Sequence, residues 1–150
     1  GFENYYYSVS YSLPIELYNT AYFNLVLEGD INWPHQFIPT EKVVKVLLAG
    51  MPFVLVGSPL FLQELRNLGF RTYHELWNES YDCELDYDKR MQKIVELCNY
   101  LVEFDWAKNK EKLIEIGSHN RNCFIQLKNL FLKEYQHTVE QLKEFLVKKQ

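Results

Sequence analysis

Thr40-Glu41-Lys42 gathers, in three consecutive residues, a hydroxyl that can cap a helix, a carboxylate and an ammonium. At the first turn of a helix such a triplet suits a nucleoside diphosphate. Lys42 and the free amides of the helix start would meet the phosphates, and Glu41 would accept hydrogen bonds from a vicinal diol such as that of ribose. The same residues also make an ordinary capped helix start with solvated charges, and spacing alone leaves both readings open. Four further positions join the candidate ligand-binding set. Glu28 ends one apolar run, Gly57 and Ser58 end another, and Lys45 follows Lys42 by three residues. Gly57 permits close backbone approach to a ligand and Ser58 is placed to cap the next helix; equally, the pair makes a plain strand-to-helix turn. Lys45 reaches a phosphate or stays solvated.

These residues act together only if particular elements bring them to one edge. Residues 5–11 are rich in Tyr, Val and Ser and suit a strand. Residues 22–28 form a near-continuous apolar run, which predicts a strand covered on both faces. A loop with Trp33, Pro34 and His35 follows, whose rings either stack on a base or sugar or plug the loop. Thr40 is a good N-cap, Glu41 complements the macrodipole, and the helix is expected to run to about Leu48, with Gly50 at the C-terminal cap and Pro52 beyond. Residues 53–56 read as a short, fully apolar strand, residues 60–68 as a helix closed by Gly69, and residues 70–73 as one more strand. Alternation of strand and helix with short connections predicts an α/β fold, a Rossmann-like parallel sheet of about four strands joined by right-handed crossovers. Ligands bind such sheets beyond the carboxyl ends of the strands, where Glu28, Gly57-Ser58 and the start of the Thr40 helix would lie.

The second half reads as helical. Met91, Ile94, Val95, Leu97, Cys98 and Leu101 recur at helical spacing. Residues 106–116 suit another helix, closed by Gly117. A last helix starts near Asn120 and carries Phe124, Leu127, Phe131, Tyr135, Val139, Leu142 and Phe145 as an apolar stripe. Residues 1–104 are thus expected to form the Rossmann-like core and residues 105–150 a helical C-terminal extension of the same domain. A stripe this long is hard for a small domain to cover, so the last helix is a candidate surface for self-association or for a partner subunit.

Bulk properties narrow the function. A chain of 150 residues is one domain with room for a core. Its net charge of −4 argues against a general nucleic-acid binder. Three scattered Cys with no CxxC pair predict no disulfide framework and a reducing, cytoplasmic compartment. No signal peptide is expected, and the apolar run of residues 43–56 is broken by Lys45, Gly50 and Pro52, so it does not predict a membrane span. The acidic series Asp82, Glu84, Asp86 and Asp88 lacks the Gly and Glu that a calcium loop needs at its sixth and twelfth positions, where Tyr87 and Lys93 stand. His119 and Cys123 are spaced for one helix face, but no further ligands accompany them. Neither a metal nor a cofactor is expected. No Ser-His-Asp set, phosphate-binding P-loop or GxGxxG is present.

Pro39-Thr40-Glu41-Lys42 before an apolar helix, then Gly50-x-Pro52 and an apolar strand, resembles the donor-binding region of α-1,3-fucosyltransferases. The longer series resembles glycosyltransferase-like proteins of phages and other viruses. It comprises Tyr22 to Val26 with Glu28, Thr40-Glu41-Lys42, Lys45, Pro52-Phe53, Gly57-Ser58-Pro59, Leu65-Arg66, Leu68-Gly69-Phe70, Thr72, and Glu79 to Asp82 with Arg90. The resemblance implies the carboxy-terminal, nucleotide-sugar-binding half of a GT-B enzyme. Glu41 would meet the donor ribose, Lys42 the diphosphate and Glu28 the donor sugar, with no metal required. Asp82 and Arg90 would form a structural pair. The chain departs from the pattern at Val43 and Val46, and it has no room for the acceptor domain that usually supplies the general base. Glycosyl transfer would therefore need a partner domain. The alternative is a non-catalytic viral module that binds a nucleotide-type ligand or another protein and oligomerises through the last helix.

Overall fold

The computed structural model describes residues 15–18, 20–29 and 37–147. In chain order these form α1 (Ile15–Tyr18), β1 (Asn24–Leu27), α2 (Glu41–Ala49), β2 (Phe53–Val56), α3 (Phe61–Asn67), a 3-10 turn (Ser80–Cys83), α4 (Tyr87–Val102) and α5 (Lys110–Val147). β1 and β2 pair in parallel, Asn24 opposite Phe53 and Leu27 opposite Val56. The α2 crossover between them forms as its residues dictate. Thr40 caps the start, its hydroxyl accepting from the Lys42 amide. Gly50 closes the end in the left-handed conformation, φ 69°, that favours glycine. Val43, Val46, Leu47 and Ala49 form the buried face.

The expected Rossmann-like sheet of about four strands is overturned: the described residues form a two-stranded sheet. The strand expected at residues 5–11 lies outside the described residues. Residues 70–73 are not a strand, because side chains take their backbone groups. The Arg71 amide donates to Asn120 Oδ1 at 2.7 Å, the Arg71 carbonyl accepts from Asn120 Nδ2 at 2.9 Å, and the Tyr73 amide donates to Glu79 Oε1 at 2.8 Å. The far edge of β2 is closed in a similar way. Leu55 turns its amide away from β1 and donates to the buried Tyr81 hydroxyl at 3.3 Å. A third strand at this edge would have to displace that phenol.

Two further expectations change. β1 is not covered on both faces: Val26 is buried, but Leu25 and Leu27 are 50% and 56% exposed. The break expected at Gly117 is absent, since α5 runs through it without interruption. Gly117 serves packing instead, where α5 meets the end of α2. A Cβ built on Gly117 would lie 2.1 Å from the Gly50 carbonyl oxygen, so only glycine lets the two backbones approach this closely.

The core joins both halves of the chain. Val54, Leu55, Phe61, Leu62 and Leu65 meet Ile94, Leu97 and Leu101 of α4 and Leu113 and Ile116 of α5. Tyr73 stacks on Trp77 at 4.7 Å and meets Phe53 edge-on at 5.5 Å, while Trp77 meets Phe104 edge-on at 5.7 Å. Burial raises the Tyr73 and Tyr81 phenol pKa values, so both stay protonated, and the Tyr73 hydroxyl donates to the Met51 carbonyl at 3.0 Å.

Outside the core, Arg71, Glu75, Lys112 and Glu115 form four ion pairs, two of which, Arg71–Glu115 and Lys112–Glu75, tie the turn after α3 to α5. The Lys112 ammonium and then the Arg71 guanidinium hold the Glu75 carboxyl down to about 2. A carboxylate whose folded-state pKa lies below its unfolded value near 4.3 stabilises above that value and loses the contribution as pH falls toward the folded pKa. The melting temperature is therefore expected to fall as pH drops from about 5 to about 2. Glu75→Gln should flatten that slope and leave the melting temperature near neutrality little changed, because the group is on the surface. Equal slopes for the two proteins would show that the cluster carries no linkage.

Candidate functional site

The amino end of α2 is the centre of the expected ligand site. The Glu28 carboxylate, just past β1 and 6% exposed, lies directly on it. Glu28 Oε1 accepts from the amides of Thr40 at 3.3 Å and Val43 at 3.1 Å, and Oε2 accepts from the Thr40 hydroxyl at 2.5 Å. The Thr40 hydroxyl in turn accepts from the Lys42 amide at 3.3 Å. The helix start that could hold an anion thus already holds one from its own chain, and the carboxylate offsets the positive end of the dipole.

The structure brings Glu28 and Thr40 together and arranges the other candidates around them. Glu41 and Lys42 are exposed on the first turn, and Lys45 is half-buried one turn on. Gly57 and Ser58 are buried past the end of β2, the strand beside β1. A side chain at Gly57 would meet the Leu55 Cδ2 atom at 2.7 Å and Phe61 at 3.3 Å, so the glycine answers to packing within the turn.

Ser58 does not cap α3. That helix begins after Leu60, which has φ 67° and makes no side-chain cap. Its amides are met by Asp82, from the 3-10 turn: Oδ1 accepts from Leu62 N at 2.8 Å and Oδ2 from Gln63 N at 3.0 Å. Arg66 links Asp82 to the neighbouring buried carboxylate, with Nη2 3.5 Å from Asp82 and Nη1 3.3 Å from Glu79. Burial raises the pKa of both carboxyls, and the amide hydrogen bonds and Arg66 act against it. The structural pair expected between Asp82 and Arg90 is thus centred on Arg66. The Arg90 guanidinium donates to the Glu84 carbonyl at 2.9 Å and acts on Asp82 through its charge.

The opposite ends of α2 and α3 are closed by one segment of α5. Arg121 donates to the carbonyls of Leu48 and Ala49 at the end of α2, both at 2.9 Å. His119 Nε2 lies 2.8 Å from the Gly69 carbonyl, and Cys123 Sγ donates to the Leu68 carbonyl at 3.5 Å. His119 and Cys123 are therefore occupied with the end of α3. Among the described residues no group of three or more His, Cys, Asp or Glu could hold a metal ion.

A different surface is open. An apolar groove of about 800 Å³ runs between α2, the end of α3 and the middle of α5. α2 contributes Val44 and Leu47, the α3 side Leu68 and Phe70, and α5 the stripe from Phe124 to Tyr135, with Lys128 as the basic residue on its wall. Phe124 and Leu127 pack against the core, whereas Phe131 and Tyr135 are 73% and 69% exposed. The helical spacing of that stripe was the legible part of this surface. Its other wall, made by the outward side of α2 and by residues after α3, has no local signature.

Among the described residues no helix is long and apolar enough to cross a membrane. Comparison with known proteins returns no matching family model, no matching curated protein and no matching solved structure.

Proposed function

We propose that this protein is a non-catalytic interaction module whose working surface is the apolar groove between α2, α3 and α5. The observation that carries this reading is the exposure of Phe131 and Tyr135 on a groove lined almost wholly by apolar side chains. Such a cleft fits the apolar face of an amphipathic helix, which anchors through residues three and four apart. A fluorescein-labelled, three-heptad Leu-Lys-Glu amphipathic helix should bind the full-length chain with a Kd tighter than about 100 µM by fluorescence anisotropy. Val44→Glu, which puts a charge in the groove wall, should weaken that binding at least tenfold. Absence of binding, or equal binding by the variant, overturns the reading.

Nucleotide-sugar binding in a glycosyltransferase-like framework is a second reading. The parallel β1-α2-β2 unit favours it, since Glu28, Thr40 and the Gly57-Ser58 turn follow the carboxyl ends of adjacent strands, with Glu41 and Lys42 beside them. Against it, Glu28 occupies the amides a diphosphate would use. GDP, UDP or their sugars should then raise the melting temperature of the chain but not of Lys42→Ala. A flat response to all of them rejects this reading.

A further inference from the structure

One face of α4 and the chain just before the 3-10 turn enclose a second cavity, of about 420 Å³. It shares no lining residue with the apolar groove. Lys93, Glu96, Leu97 and Tyr100 line it from α4, at the spacing of a single helix face, together with Trp77 and Asn78. The volume lies at the lower end of the about 300–1,000 Å³ typical of ligand pockets, so it suits a small molecule. Its wall also mixes apolar with charged and hydrogen-bonding groups, as such pockets do.

Two opposite charges share this wall without meeting each other. The Lys93 ammonium pairs with Glu84 at 2.8 Å, which uses one of its three donors. Glu96 Oε1 accepts from Gln92 Nε2 at 3.0 Å, which leaves Oε2. Residues three apart on a helix are close enough to pair, yet no ion pair joins Lys93 to Glu96. Two further donors are uncommitted. Trp77 is 5% exposed, and its indole N–H is buried without a hydrogen-bond partner among the described residues. A buried donor in that state is a standing cost that an acceptor on a ligand would remove. Asn78 commits its carbonyl oxygen to the Ser80 amide at 2.8 Å, so its NH₂ group stays available as a donor.

We propose that this cavity binds a free α-amino acid in its zwitterionic form, with an apolar side chain. The carboxylate of the ligand accepts from Lys93, Asn78 and Trp77, and its ammonium donates to the remaining oxygen of Glu96. Its side chain lies on Leu97 and on the ring of Tyr100, which is half exposed and held edge-on by Phe104 at 5.9 Å. The charges exclude simpler ligands. A plain anion would meet the Glu96 carboxylate, and Glu84 already weakens the pull of Lys93. A plain cation would meet Lys93 and leave the Trp77 and Asn78 donors unpaired. One molecule carrying both charges satisfies all four groups.

Thermal unfolding and calorimetric titration of the full chain test the site. At about 10 mM, at least one of L-leucine, L-methionine and L-phenylalanine should raise the melting temperature by about 5–10 °C, the shift expected at about 100 times Kd. The amide of the same amino acid, which lacks the carboxylate, and its N-acetyl derivative, which lacks the ammonium, should each bind at least tenfold more weakly. Glu96→Gln, at an exposed position, should leave the unliganded melting temperature unchanged and weaken the amino acid at least tenfold, without weakening the N-acetyl derivative. Trp77→Phe keeps a ring but removes the N–H, and it should weaken binding about fivefold in a chain whose circular dichroism spectrum is unchanged. No shift with any of the three amino acids, equal binding of the amide or the N-acetyl derivative, or unchanged affinity in Glu96→Gln or in folded Trp77→Phe overturns the inference. The groove reading stands or falls separately, on the helical peptide.

Discussion

Gly117→Ala is expected to lower stability by about 3 kcal/mol, although alanine is the better helix former by about 1 kcal/mol. The new methyl group would lie 2.1 Å from the Gly50 carbonyl oxygen and 2.8 Å from its carbon. Both are backbone atoms, so no side chain can swing aside. Gly50 cannot yield either, because its left-handed conformation ends α2 and its amide donates back to the Val46 and Leu47 carbonyls. Relief therefore separates α5 from α2, stretching the Arg121 bonds to Leu48 and Ala49. For a chain of this size the melting temperature should fall by about 6–12 °C. Ser118→Ala, one position along on the exposed side of the same helix, should change it by less than about 2 °C. If Gly117→Ala melts with the wild type, the close crossing of α2 and α5 is wrong.

Asp82→Ala should cost about 3 kcal/mol. Asp82 is 3% exposed and serves amides of a helix far from it in sequence. Removing the carboxylate orphans the buried Leu62 amide and the part-buried Gln63 amide, and takes an anion from Arg66. An unsatisfied buried donor costs about 1–3 kcal/mol, and the share of Arg66 is discounted because its side chain is 27% exposed. The main-chain bond from Leu60 N to the Asp82 carbonyl, 2.7 Å, survives the change. Asp82→Asn keeps one acceptor but turns an NH₂ group toward an amide donor, so it should recover only part of the loss. Urea unfolding checks both, with the midpoint moving and the m-value constant. A loss below about 1 kcal/mol for the alanine variant would mean that α3 does not need this cap.

These two residues show where local pattern stops being informative. Thr40 and Gly50 are readable as the ends of α2 because cap chemistry acts within a few residues of the helix it closes. Gly117 was open to the same reading and turned out to lie inside a helix. A glycine that ends a helix and one that admits a neighbouring backbone look alike until the neighbour is in place. Glu28 was legible as a polar group at a strand end. Its partners, Thr40 and Val43, lie 12 and 15 residues away, and their contact turns a candidate ligand group into a cap.

By itself the sequence determined the alternation of β1, α2, β2 and α3, the position of α4, and the apolar stripe on the last helix. These rest on period and propensity, which short stretches of chain encode on their own. Only the tertiary structure decided that the sheet stops at two strands among the described residues and that α5 is continuous through Gly117. It also decided that Glu28, Asp82, His119 and Arg121 close helices to which they do not belong. The physical reason is that a free amide or carbonyl accepts any partner of suitable geometry. Which polar side chain satisfies it is settled by packing of the whole chain.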